Sequence, residues 1–236
     1  MRDHRGKISA DTGDGLRLRE RSVSNLKQIA VAMYNYQVTH GHYPPAALTD
    51  AAGEPLLSWR VAILPYLARQ ELYDRFKLDE PWDGPANREL LSEMPEVYTL
   101  AGVDFGRRHE TFYRGFHGPG AFFEGTQGIE MMDITDGPDT LMVVEAADPV
   151  AWTKPDELTL TNGSPLPEVG GQFKEGFHAL TCDGEVLFLD RGIDADLLRW
   201  AITRNDGQVM TLARLRYRSW RDERPSGIRL FLPPNT

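Results

Sequence analysis

The chain has 236 residues, 41% of them hydrophobic, with 22 Gly and 16 Pro, enough apolar material for a substantial core and too much for a mostly disordered chain. Seven Lys/Arg against four acids in residues 1–27 (+3) and seven against three in 204–236 (+4) leave −16 on the body of a chain whose formal charge is −9, which excludes a general nucleic-acid-binding surface. No window reaches the ~18 apolar residues of a membrane span, and the single cysteine, Cys182, allows no intrachain disulfide.

Residues 1–15 are polar and glycine-bearing, and the first 22 contain no apolar run of the kind a secretory signal needs. A flexible polar tail is expected over residues 1–22. Val23, Leu26, Ile29, Ala30 and Met33 then recur at three- and four-residue spacing, which predicts an amphipathic helix ending near His40-Gly41, with Pro44-Pro45 forbidding continuation.

Ser58 is a natural N-cap, and Pro65 splits the following pattern into expected short helices over 59–64 and 66–76. A further short helix is expected over 83–91, opened by Asp83 and Pro85. From about residue 97 the period changes. Residues 111–116 and 140–145 are strand-like, and residues 176–189 form a hairpin pattern in which Asp183-Gly184 is expected as a two-residue type I′ turn. Asp194 caps an expected helix over 195–203. The last segment alternates Arg214, Arg216 and Arg218 with Leu215, Tyr217 and Trp220, the pattern of a charged edge strand or a basic binding strip. The elements together predict an α+β domain, an N-terminal amphipathic helix packed on an antiparallel sheet.

Several residues carry possible chemistry. Asp133, Asp136 and Asp139 around Gly137 have the oxygen donors for calcium, without the spacing of an EF-hand; the alternative is a structural Asx turn. Trp59, Trp82 and Trp152 are candidate walls of a solute, sugar or peptide groove, with core packing as the alternative. Glu145 ends an apolar strand, where a carboxyl is solvent-facing or deliberately paired, and His178 or Asp136 would be its partner in acid–base catalysis. His40-Gly41-His42 offers two imidazoles, or a helix-terminating turn. There is no Gly-x-Ser-x-Gly elbow, no Walker-type phosphate loop and no paired-cysteine motif, so an enzyme is not expected.

Ordered blocks of the sequence resemble a known family. They are Asn25-Leu26-Lys27-Gln28-Ile29-Ala30, His42-Tyr43-Pro44-Pro45 and Leu57-Ser58-Trp59-Arg60 running to Leu67, followed by Pro81-Trp82-Asp83. Asp133-Ile134-Thr135-Asp136-Gly137, Val143-Val144-Glu145-Ala146, Phe177-His178 with Asp183-Gly184, and Ile202-Thr203-Arg204-Asn205 follow in order. Together they resemble the DUF1559 (SBP_bac_10) family over about residues 23–210, with a basic extension at 211–236.

Members are typically bacterial, abundant in planctomycetes, and the resemblance implies a type IV pilin- or pseudopilin-like fold. It implies no reaction and no cofactor. The chain departs from the pattern twice: polar residues stand where the family carries an apolar prepilin-type leader, and His178 precedes Asp183 by a shorter interval than is frequent. The resemblance implies a non-enzymatic structural or interaction module, connected with cell-envelope assembly or secretion through protein partners. The alternative, from the solute-binding label and the aromatic residues, is a free-standing solute- or polysaccharide-binding module. The compartment is not legible from the sequence.

Overall fold

The computed structural model describes residues 13–100, 109–137 and 139–207. Residues 1–12 of the expected tail and the expected extension at 211–236 lie outside them. The first helix, α1 (Gly13–His40), has 28 residues and is therefore ~42 Å long. It starts ten residues before Val23, so the expectation of a tail is corrected for 13–22. Leu, Arg and Glu dominate 16–21 and favour helix even where the apolar period has faded. Ser22, Asn25, Leu26, Ile29, Ala32, Met33 and Tyr36 form its buried face. The helix ends as expected. Gly41 adopts φ +84° and its N–H bonds the Gln37 carbonyl at 2.8 Å.

A short antiparallel ladder follows, β1 (Ala47–Thr49) with β2 (Pro55–Ser58), which has no periodic signal in the sequence. Ser58 caps α2 (Trp59–Ala62), accepting from the Arg60 N–H at 3.2 Å. Pro65 interrupts the helix as expected, but the continuation is a 3-10 turn, Leu64–Leu67, and a single-turn α3 (Gln70–Tyr73) rather than a helix over 66–76. The next helix, α4 (Pro85–Glu89), starts at Pro85 and tightens into a 3-10 turn at Leu90–Glu93.

Beyond it lie β3 (Glu110–Arg114), β4 (Phe116–His117), β5 (Leu141–Ala151), β6 (Leu158–Thr159), β7 (Gly176–Thr181), β8 (Val186–Asp190) and α5 (Ala195–Ile202). The main sheet has the order β3-β5-β7-β8, antiparallel throughout. Two-residue strands β4 and β6 pair in parallel beside it.

The β7–β8 hairpin corrects one expectation. The Thr181 N–H bonds the Glu185 carbonyl at 3.0 Å and the Gly184 N–H bonds the Thr181 carbonyl at 3.0 Å, so the loop has three residues, Cys182, Asp183 and Gly184. Only Gly184 has positive φ, +84°, whereas a type I′ turn would need it at Asp183 too. The Asp183 carboxyl is held by the Thr181 hydroxyl and by the Glu185 N–H, which stabilises this longer turn.

Alternation along β7 and β8 divides the core. His178, Leu180, Val186 and Phe188 face α1, while Phe177, Ala179, Leu187 and Leu189 face α5 and the residues around Phe116 and Leu158. The sheet is thus covered on both faces. The α+β class, a long N-terminal helix on an antiparallel sheet, is as expected; α5 supplies a third layer.

Candidate functional site

Two of the candidate residues meet inside the core. Tyr113 on β3 sits opposite Glu145 on β5 in the strand register, and His178 lies on β7, the next strand. The Glu145 carboxyl accepts the His178 backbone N–H at 2.8 Å and lies 2.9 Å from its ring Nδ1. From the opposite layer Ser22 of α1 donates to the same carboxyl at 2.5 Å, and its Oγ lies 2.9 Å from the Tyr113 hydroxyl. None of the four is more than 1% exposed. Burial, and then the Glu145 charge, push the Tyr113 phenol well above its ordinary range, so it stays protonated. Phe173 and Phe188 set their edges against the His178 ring at 5.2 and 4.9 Å, excluding water from that side.

The order of these bonds decides what the cluster can do. A nucleophilic serine must bond to its base, and the base to an orienting acid. Here Ser22 and His178 both bond to Glu145, so the carboxyl stands in the middle. The group ties α1 to two strands through one buried acceptor. Asp136 is not among its members. Ser22 and Tyr113 were missed from the sequence, although Ser22 is a polar residue inside the apolar stripe formed with Leu26 and Ile29, which is the signal that would have found it.

A second buried polar centre surrounds Arg60, which is fully buried. Its guanidinium donates to the carbonyls of Trp152, Tyr113 and Lys154 at 2.9, 3.1 and 3.2 Å, and pairs with Glu157 at 2.8 Å. Glu157 also accepts the Gly115 N–H at 2.6 Å. Burial pushes the Glu157 carboxyl above its ordinary value, against the pull of Arg60 and the Gly115 amide.

Trp59 and Trp152 are both fully buried; Trp59 stacks on Phe123 at 5.7 Å and Trp152 on Tyr98 at 5.9 Å. The Trp152 indole donates to the Leu91 carbonyl at 3.0 Å. Neither presents a face to a solute, and Trp82 is half-buried against the same core. Asp133 and Asp136 serve separate groups. Asp133 accepts the Glu130 N–H at 2.8 Å, closing a 3-10 turn at Met131–Asp133. Asp136 accepts the N–H groups of Asp206 and Gly207, which follow α5. Asp139 is half-buried two residues beyond Gly137. Among the described residues no group of three or more His, Cys, Asp or Glu side chains is placed to hold a metal ion. Cys182 is a free thiol; burial and then Asp183 push it well above its ordinary value, so thiolate chemistry is suppressed.

The outer face of α1 is different in kind. Leu16, Val31, Tyr34 and Val38 are 53%, 59%, 53% and 63% exposed. With Val23 and Lys27 they fall within a sector of about 80° at 3.6 residues per turn, opposite the buried face. A shallow groove of about 580 Å³ runs beside this stripe, walled by Val23, Lys27 and Val31 on the helix and by Tyr66 and Leu67 across from it. Among the described residues no helix is long and apolar enough to cross a membrane.

A long helix with one face welded to an antiparallel sheet and the other carrying exposed apolar side chains among charged ones defines an α+β domain built around α1. Residues 19–99, which include most of that helix, match the family SBP_bac_10, protein of unknown function (DUF1559), the family that the blocks between Asn25 and Asp83 resemble; the blocks from Asp133 onward lie outside the match. No curated protein and no solved structure matches the chain.

Proposed function

We propose that this chain is a non-enzymatic, pilin-like structural and interaction module whose working surface is the outer face of α1. The observation that carries the reading is the second apolar stripe on that helix, Leu16, Val31, Tyr34 and Val38, each more than half exposed. Exposed apolar side chains aligned along one face, with Glu20 and Lys27 interspersed among them, suit docking against another protein. The residues with the best acid–base chemistry, Glu145 and His178, support the non-enzymatic reading because they are sealed in the core. A cell-envelope or secretion assembly is the proposed setting of that contact, a reading the family resemblance supports.

The test is site-specific photo-crosslinking in the native cells. A photoreactive residue at Val31 or Val38 is expected to capture a protein partner, while one at the exposed Thr159 captures none. Equal, background-level labelling at all three positions overturns the proposal.

A solute-binding role has one observation in its favour, an open cleft of about 730 Å³ bordered by Arg69, Glu71, Leu72, Arg75, Glu93 and Met94. Its ligand would meet the charged rim, where Arg75 and Glu93 form a two-bond ion pair at 2.6 Å, and not the buried tryptophans. Saturable binding in a titration against sugars and peptides, abolished by Arg75→Ala, would favour it.

A further inference from the structure

The end of α1 gathers two imidazoles and two phenols. Gly41 turns the chain in the left-handed region, φ +84°, so His40 and His42 come to one side with ring centroids 6.1 Å apart. Two imidazoles ligating one ion at ~2.0–2.1 Å per nitrogen have centroids about 5–6 Å apart, close to the separation here.

Each ring is already oriented. His40 stacks on Tyr36 at 4.1 Å with an interplanar angle of 29°. Its Nε2 lies 3.1 Å from the Tyr66 hydroxyl, a hydrogen bond that holds the ring beside that phenol. The His42 Nδ1 is 2.8 Å from the Tyr43 carbonyl oxygen. A carbonyl only accepts, so Nδ1 carries the proton there and Nε2 keeps its lone pair. A backbone carbonyl on one ring nitrogen is the usual way a protein aims the other at a metal. The carbonyl itself is fixed, because Tyr43 is buried and its N–H bonds the Ile129 carbonyl at 2.8 Å.

The surroundings favour a cation. The last carbonyls of a 28-residue helix carry partial negative charge at this point. His40 is exposed and His42 half-buried, so an ion arriving from solvent reaches both. Two imidazoles and a phenol are borderline donors, suited to copper, nickel or zinc rather than to calcium or magnesium.

We propose that His40 and His42, with Tyr66 alongside, form a surface site for one divalent transition-metal ion of the copper, nickel and zinc class. The site shares Tyr66 with the groove beside the docking stripe but uses none of the stripe's own residues. An ion there clips the end of α1 to the 3-10 turn that carries Tyr66.

The test is a calorimetric titration of the full chain with Cu²⁺, alongside His40→Gln and His42→Gln. One equivalent is expected to bind the unchanged chain, and at least tenfold more weakly to each variant. A loss of less than tenfold in either overturns the site. A second measurement needs no substitution: substoichiometric Cu²⁺ should broaden the NMR ring signals of His40, His42, Tyr36 and Tyr66 first. Broadening that begins at other histidines overturns it equally.

Discussion

The Ser22–Glu145–His178–Tyr113 group makes a quantitative demand that a peripheral contact would not. Ser22→Ala removes one donor from the Glu145 carboxyl and a hydroxyl 2.9 Å from that of Tyr113, which the Asn25 side chain also reaches. Glu145 keeps its two His178 contacts and Tyr113 keeps Asn25, so the substitution removes hydrogen bonds in a dry interior without orphaning either group and is expected to cost about 1–3 kcal/mol. Against a typical domain stability of about 5–15 kcal/mol that is a large fraction. Tyr113→Phe leaves the Ser22–Glu145 bond in place and should cost about 1 kcal/mol. In the double variant the shared Ser22–Tyr113 contact is lost only once, so the combined loss should fall short of the sum by about 1 kcal/mol. Urea unfolding followed by far-UV circular dichroism reads all three, with the denaturant slope unchanged if the core stays intact. Hydrogen exchange should show α1 amides around Leu26 and Ile29 opening before those of β7. A Ser22→Ala protein within about 0.5 kcal/mol of the parent, or strict additivity in the cycle, would refute the view that this group welds the helix to the sheet.

Arg60→Met should cost about 3–5 kcal/mol, because it leaves Glu157 buried without its cation, and adding Glu157→Gln should recover part of the loss in the same unfolding assay. Burial, and then the Cys182 and Tyr34 charges, push the Tyr43 phenol up to about 12 from an ordinary 10.0. Its contribution is therefore complete below pH 10.0 and is lost as pH rises to about 12. Over that window Tyr43→Phe should make the decline of stability shallower by up to about 1.4 kcal/mol per pH unit, and an unchanged decline would refute the assignment.

Much of this architecture is legible in the linear pattern because it depends on local rules. The 3.6-residue spacing of Leu26, Ile29 and Met33 announces α1, Gly41 and Pro44-Pro45 stop it, Ser58 and Asp194 cap α2 and α5, and alternation marks β7 and β8. Local rules also explain the misses. The polar start of α1 carries no apolar period, so the helix is longer than its stripe. Asp183-Gly184 is compatible with two turn types, and the choice fell to hydrogen bonds from Thr181 and Glu185. The short β1–β2 ladder has too few residues for any period to show.

The chemistry of Glu145, His178, Trp59 and Trp152 was never a local matter. Their residue types were plain in the sequence; whether they face solvent or core depends on which layers close over them. Glu145 meets Ser22 across 123 positions of chain, and Arg60 meets Glu157 across 97. No local propensity encodes such pairings. The sequence by itself determined most of the longer elements, the C-terminal end of α1, the caps of α2 and α5 and the acidic, core-forming character of the chain, because those follow from backbone sterics, periodicity and composition. Only the tertiary structure decided which polar groups are sealed inside and which apolar stripe of α1 is left exposed. Burial and desolvation act between segments far apart in the chain, and exist only once the layers have packed.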